Sequence, residues 1–421
     1  MYYYLFKNNL IVSKISIDKP NYKEITEDDA RKYSGKIFIF NPMNPEISRR
    51  SFIVSNESMC FLKDESLALL SSLNHSSISS KLIPSWLEKN FTSGTVISLN
   101  PNYPNYEDVI TYASPKKWKI NVIGLGDVGS TLLTGLKLLG TDTIDTLGIY
   151  DLDKNKVTRL NFELSQILST NGKESSLKIQ ALKEADLFNC DMFVFCVSVG
   201  VPPIGNEQND VRLVQFEGNR KVLKHYGKLA RDAKFKGIFA VVSDPVDLLC
   251  KSLFEHSNRD ENGLMDFKGL APEQIRGYGL GVMNARAVYY SSLKDETKNY
   301  IKEGRAYGPH GEGLIIANSI EHFDEEATDF LTQKTKTANL DVRISGFKPY
   351  IAPALSSGAL SLLDTLAGNF HYSSNFLGGT FMGCKNRYIH GCTENELVPI
   401  PDLLMKKLQE TYTLLNKLYL S

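Results

Sequence analysis

Ile120-Asn121-Val122-Ile123-Gly124-Leu125-Gly126-Asp127-Val128-Gly129 is the stretch on which the fold of this chain turns. Four strand-forming residues run straight into Gly-x-Gly-x-x-Gly, and residues 130–139 continue with helical spacing. The glycine string alone is weak, because glycine is common; its place between an apolar strand and a helix makes it specific. Gly124 permits the tight turn, Gly126 lets backbone approach a pyrophosphate, and Gly129 lets helix pack on strand. Asp127 and Val128 open a helix whose unpaired N–H groups and positive end suit an anion. The reading is a dinucleotide-binding loop.

The next strand pattern ends in Gly148-Ile149-Tyr150-Asp151. Asp151 stands about 20 residues beyond the loop, where a carboxylate accepts hydrogen bonds from a ribose diol. It would repel a 2′-phosphate, so the expected cofactor is NAD rather than NADP. Asp151 and Asp153 suggest a metal pair only if that position is ignored. His225, His256, His322, His371 and His390 have no ligand spacing with acids or cysteines, and are expected mostly on the surface or in loops. No metal site is expected.

Outward from the loop, β-prone runs at residues 146–150, 192–197 and 237–242 alternate with helical patterns. That alternation predicts an α/β fold, a doubly wound parallel Rossmann sheet, over residues 116–260. Beyond Asp260 the signals mix, which predicts an α+β substrate-binding and catalytic domain over 261–421. Residues 1–115 contain only two glycines, Gly35 and Gly94. They read as a small accessory α/β domain: a hairpin around Lys7-Asn8-Asn9, β-prone runs at 36–40, 51–54 and 95–99, and helical spacing at 65–73 and 84–90. Pro101, Pro104 and Pro115 punctuate an expected linker. Nothing in this first segment carries recognisable chemistry.

At 421 residues the chain is too long for one ordinary core. Formal net charge is +0, so no overall field draws it to nucleic acid or an anionic membrane. Six cysteines are scattered without a CxxC pair, and Cys196 and Cys250 end apolar runs as core thiols do; this fits a reducing compartment. Residues 1–17 lack the continuous apolar core of a signal peptide, and no stretch approaches a membrane span. The expectation is a cytoplasmic protein.

Four further strings occur in the order seen in the L-lactate/malate dehydrogenase family, which the region from residue 116 to 421 resembles. Phe195-Cys196-Val197-Ser198-Val199-Gly200-Val201-Pro202 looks like the strand entering that family's mobile loop, with Val199 and Gly200 beside the cofactor. Val211-Arg212-Leu213 through Asn219 is similar to the loop's far side. Asn284-Ala285-Arg286 and Tyr307-Gly308-Pro309-His310-Gly311-Glu312 look like the segments that anchor the substrate and carry the catalytic histidine. The resemblance implies His310 as acid/base, Arg212 as carbonyl polariser and Arg286 as carboxylate anchor. The residue types suit these roles: imidazole exchanges a proton near neutrality, and guanidinium binds a carboxylate bidentately. It also implies a homo-oligomer.

Three departures stand out. Met283 occupies the place of an aspartate that in the family hydrogen-bonds the histidine, and a thioether carries no charge. The adjacent Asn284 offers only an amide oxygen. Asp244, in Val242-Ser243-Asp244-Pro245-Val246-Asp247, stands where the family has asparagine, and is expected to take over part of the missing acid's work. Lys348, in Gly346-Phe347-Lys348-Pro349-Tyr350, replaces a small hydroxyl beside the substrate. Three placements are open to it: paired with Asp244, reaching an acidic substrate group, or solvated. Pro202, Pro203 and Ile204 supply no arginine for a second carboxylate, and the mapping of Gln208 as a selector is unsafe across an apparent insertion.

The sequence therefore predicts an NAD-dependent oxidoreductase interconverting a 2-oxo acid and a 2-hydroxy acid, neither malate nor ordinary lactate. The alternative is a catalytically impaired NAD-binding protein of the same fold. Reduction of an imine or amino-bearing oxo acid is a related option, with Asp244 holding the cation.

Overall fold

The computed structural model describes residues 1–73, 83–168, 177–199 and 211–420, the side chains of 211–214 excepted. At the N-terminus β1 (Tyr2–Phe6) and β2 (Asn9–Ser13) form the expected hairpin. Lys7 and Asn8 both take positive φ, 47° and 60°, as a two-residue turn matched to strand twist requires. The second strand stops at Ser13, whose Oγ donates to Ile15 O at 2.7 Å and closes a local turn. The short β3 (Lys23–Glu24) pairs with β1, and α1 (Glu27–Arg31) follows. Next come β4 (Ile37–Phe40), β5 (Ser51–Ile53), α2 (Glu88–Phe91) and β6 (Val96–Leu99). The helix expected at 65–73 shrinks to a 3-10 turn, Leu67–Leu70, because Ser71 is drawn into a β-bridge with Val398. The expected linker is partly packed structure instead. Tyr103, Tyr106, Val109 and Ile110, spaced as one helical face around α3 (Glu107–Ile110), are buried in the core beneath β1, β4 and β6.

The dinucleotide-type unit follows: β7 (Trp118–Ile123), α4 (Asp127–Leu139), β8 (Ile144–Tyr150), α5 (Lys154–Ser165), β9 (Lys178–Ala181), β10 (Met192–Phe195), α6 (Val211–Asp232), β11 (Ile238–Val241), α7 (Val246–Ser257) and β12 (Ile275–Gly277). The strands lie parallel in the order β9-β8-β7-β10-β11-β12, the two-halved arrangement of a Rossmann sheet. Strands β10 and β11 are buried on both faces, as helices covering both sides demand.

The remaining elements are α8 (Leu280–Ser291), α9 (Tyr300–Glu303), the small antiparallel pair β13 (Arg305–Tyr307) and β14 (Ile315–Ala317), α10 (Glu325–Ile344), a π-helical segment Pro353–Leu360, α11 (Ser361–Ala367), β15 (His371–Leu377), β16 (Thr380–Ile389), β17 (Cys392–Asn395) and α12 (Asp402–Leu420). Strand β15 joins the Rossmann sheet antiparallel to β12, and β17 joins β5 through Thr393 and Phe52. One sheet of 15 described strands therefore runs from the first segment to the far Rossmann edge. Buried polar contacts hold the seam. Arg50 Nε and Ser51 Oγ both donate to Glu273 Oε1, at 2.8 and 2.9 Å, and Arg276 donates to Thr393, Ser373 and Asn386. Removing one partner of such a buried pair costs about 3–5 kcal/mol, because the other charge is left stranded.

Candidate functional site

The glycine loop leaves the C-terminal end of β7 in the shape its sequence asks for. Gly124 has φ +85°, and a Cβ there would meet Cys196 and Val197 backbone at 2.6 Å. A Cβ on Gly129 would stand 2.1 Å from Gly124 O, so helix and turn touch only through glycine. At Gly126 nothing lies within 4 Å of a Cβ position: this is open space at the start of α4, room that a pyrophosphate would need. Asp151, one residue past β8, accepts from Leu125 N–H at 2.7 Å and from Asp153 N–H at 2.9 Å. These bonds fix the carboxylate beside the loop, and each oxygen keeps a further lone-pair direction for a hydroxyl. Loop, open approach and fixed acid fit a dinucleotide.

Across the strand ends lies a second cluster. His310 follows β13, and Asp244 follows β11 just before α7; His310 Nδ1 stands 2.9 Å from Asp244 Oδ1. The histidine side chain is 19% exposed, so its other nitrogen is sheltered yet reachable. Gly279, capping α8, makes the approach feasible, since a Cβ there would meet His310 Cβ at 2.9 Å. Asn219 on α6 braces the cluster: its Nδ2 donates to Asp244 O and its Oδ1 accepts from Val199 N–H, both at 2.7 Å. Arg286 lies on α8, half-buried. Burial pulls its guanidinium below the usual arginine range, opposed by the fields of Tyr290 and Asp244.

Met283 is buried one helical turn before Arg286, and its Sδ accepts from Arg286 Nη1 at 3.7 Å. Asn284 accepts from Tyr300 Oη at 2.9 Å through its Oδ1, whereas His310 Nδ1 faces Asp244 instead. Lys348 does not pair with Asp244. Its Nζ lies 3.3 Å from Asp127 Oδ2, so it sits beside the cofactor loop, with both side chains exposed. Arg212 falls in the first turn of α6, and its side chain lies outside the described residues, as do Gly200, Pro202, Pro203, Ile204 and Gln208.

Sequence reasoning missed Asp247, in the first turn of α7. It is buried, accepts from Ser374 Oγ at 2.7 Å, and is held up to about 7 by desolvation; His310 opposes that rise and Asp244 adds to it. The available signal was its position three residues beyond Asp244 at a helix start. His371 was expected outside the core; instead it is buried in β15 between Thr365 Oγ1 and Asn369 O, and burial pushes it down to about 3. Among the described residues no cluster of His, Cys, Asp and Glu could hold a metal ion. No described helix is long and apolar enough to cross a membrane.

A Rossmann sheet with a glycine loop, an acid fixed beside it after the second strand and a histidine–carboxylate pair near the same strand ends fits a dinucleotide-binding class of protein. Residues 118–266 match the family model for the lactate/malate dehydrogenase NAD-binding domain, which identifies the dinucleotide as NAD. The L-lactate dehydrogenase 1 of Staphylococcus aureus strain JH9 is 26% identical over 194 residues, 46% of this chain and 55% of that protein. The chain thus spans about half the length of the curated relatives it matches. Among solved structures, the minor L-lactate dehydrogenase of Enterococcus mundtii aligns with a TM-score of 0.60 at 17% identity, covering 72% of this chain and 98% of that one. The malate dehydrogenase of Plasmodium falciparum aligns with a TM-score of 0.56 at 17% identity, covering 72% and 97%. Residues 118–266 thus carry a domain similar to the lactate/malate dehydrogenase NAD-binding domain, and the chain is distantly similar to L-lactate dehydrogenases over 194 residues.

Proposed function

We propose that the protein is an NAD-dependent oxidoreductase that interconverts a 2-oxo acid and a 2-hydroxy acid. The observation that carries this reading is the His310 Nδ1–Asp244 Oδ1 contact of 2.9 Å, across strand ends that also hold the glycine loop. The cofactor, when bound along Gly124–Gly129 and Asp151, supplies or accepts the hydride. His310 holds the mobile proton at Nε2, and its Nδ1–H donates to Asp244. That carboxylate fixes the orientation of the ring, the work of the acid absent at Met283. Arg286 grips the substrate carboxylate with its planar fork. Arg212, at the start of α6, polarises the carbonyl as negative charge grows on its oxygen.

Pro202-Pro203-Ile204 offers no cation for a second carboxylate, which favours a substrate other than oxaloacetate. On the family resemblance we expect a cytoplasmic homo-oligomer. Met283 supports a second reading, an NAD-binding protein with impaired turnover. Mixing the purified protein with NADH and a broad panel of 2-oxo acids, and following the reduced cofactor's absorbance, separates the two. Oxidation with at least one acid, lost in His310→Asn and Arg286→Met, is the expected result. Tight NADH binding with no oxidation across the panel selects the second reading.

A further inference from the structure

At the N-terminal ends of β11 and β12, the end of the sheet opposite the glycine loop, lies a cavity of about 560 Å³. Three parts of the chain enclose it: Arg50 and residues 104–112 from the first segment, residues 230–236 and 268–274 from the Rossmann unit, and Tyr388 and Gly391 from the C-terminal strands. The volume falls in the range of pockets that hold a small organic ligand.

Its lining is cationic. Lys236 is neutralised by Asp108 at 3.0 Å and Arg231 by Asp266 at 2.6 Å. Lys234 and Lys268 also line the cavity, and neither has an ion pair among the described residues. Deeper in, the Arg50 side chain is 8% exposed and held by Glu273 through Nε and by Asn105 O through Nη1; Nη2 has no hydrogen-bond partner among the described residues. Asn105 Oδ1 is buried and likewise accepts no described hydrogen bond, which leaves an acceptor at the wall for a donor group. The rings of Tyr112 and Tyr388, edge to face with centroids 6.4 Å apart, form an apolar side.

We propose that this cavity is a binding site for an organic phosphate of about nucleoside-monophosphate size. Lys234, Lys268 and the buried guanidinium of Arg50 take the phosphate, Asn105 accepts from a hydroxyl or amino group, and the two tyrosines cover the body. Charge-assisted bonds to phosphate oxygens are the strong contacts here, and Arg50 is pre-positioned by Glu273 at little further entropic cost. The site exists only because the first 115 residues are seated against the sheet, which gives that segment a chemical role.

The test is calorimetric titration of the full chain, saturated with NADH so that the dinucleotide site is occupied, using AMP, ribose 5-phosphate and inorganic phosphate as probes. One site for AMP or ribose 5-phosphate is expected, tighter than for inorganic phosphate. In Lys234→Glu/Lys268→Glu, both exposed positions, affinity should fall at least about tenfold with NADH affinity unchanged. Arg50→Lys, which keeps the charge but loses the fork, should weaken binding by a smaller factor. The proposal is overturned by no binding up to about 10 mM, the weak limit of ordinary recognition. It is equally overturned by AMP that competes with NADH, by affinity indifferent to the double charge reversal, or by inorganic phosphate binding as tightly as the organic probes.

Discussion

The two halves of the proposed active cleft use carboxylates differently. In the cofactor half, Asp151 sits at a strand end where any Rossmann sheet places a ribose acid, tied to the loop through Leu125 N–H. In the substrate half, the helix that carries Arg286 holds Met283 instead of an acid, and the carboxylate facing His310 comes from Asp244 at the end of a different strand. Geometry at the imidazole needs only a correctly placed oxygen; it does not prescribe which element delivers it. On the proposed function, the binding half is constrained by backbone shape and the catalytic half by side-chain reach, and reach is easier to supply from a new address.

The most severe way to test that contrast is His310→Asn. It removes the proposed proton carrier and leaves the glycine loop untouched, so turnover should fall about 10²–10⁴-fold while NADH affinity stays level. Fluorescence titration alongside steady-state kinetics separates the two, and comparable turnover in the variant would break the mechanism.

Next in size is a stability effect confined to the substrate half. Asp247 is held up to about 7 by burial, far above an ordinary aspartate near ~3.9. Between those values the folded chain keeps a proton that the unfolded chain has released. Its contribution to stability is therefore complete below about pH 4 and declines as pH rises toward about 7, by up to roughly 1.4 kcal/mol per pH unit. Asp247→Asn should flatten this part of the profile in urea unfolding across that window. An unchanged slope would show that the carboxyl is ionised in the fold.

Asp244→Asn addresses the relocated acid itself. Losing a charge-assisted hydrogen bond of about 1.5–3 kcal/mol should lower turnover roughly ten- to a hundredfold. The imidazole loses the carboxylate that orients its ring, so turnover should fall while NADH affinity stays level. Met283→Leu, by contrast, should leave turnover nearly unchanged. If Met283→Leu lowers turnover and Asp244→Asn does not, the contrast between the halves is drawn in the wrong place.

Legibility in the sequence follows the same division. The glycine loop, Asp151 and the alternating strands are local signals, periodic over ten or twenty residues, and their elements appear in the structure near the expected positions. The join of β17 to β5 brings Thr393 to Phe52, and such pairing over hundreds of residues leaves no local trace. His310 and Asp244 are 66 positions apart, so only the family resemblance and the vacancy at Met283 suggested bringing them together. Asp247 was hidden because a helix-start aspartate reads as a solvent-facing cap until Ser374 arrives from another strand. His371 is an exception to the expectation that those histidines lie mostly on the surface or in loops: both faces of β15 are covered, which no local pattern reports.

In the cofactor half, Asp151→Asn should weaken NADH binding by roughly tenfold, the worth of one charged hydrogen-bond acceptor to the ribose, with turnover at saturating cofactor little changed. The variant should also narrow the gap between NADH and NADPH, since the charge that repels a 2′-phosphate is gone. An unaltered ratio of the two affinities would remove Asp151 from the ribose site.

Lys348 offers the smallest effect and decides a residue's side of the contrast. The family resemblance aligned it beside the substrate and left open pairing with Asp244 or a solvated placement; its Nζ lies at Asp127, on the first turn of α4 next to the open approach at Gly126. A bound pyrophosphate there would meet the Asp127 carboxylate, and Lys348 offsets that negative charge. Both side chains are more than half exposed, so solvent screening limits the contribution to below about 1 kcal/mol. Lys348→Met should therefore raise the NADH dissociation constant only about two- to fivefold, an increase that added salt diminishes, with the KM for the oxo acid unmoved. The pairing with Asp127 predicts that Asp127→Asn cancels most of the defect. A KM increase with unchanged NADH affinity would return Lys348 to the substrate half and leave its contact with Asp127 incidental.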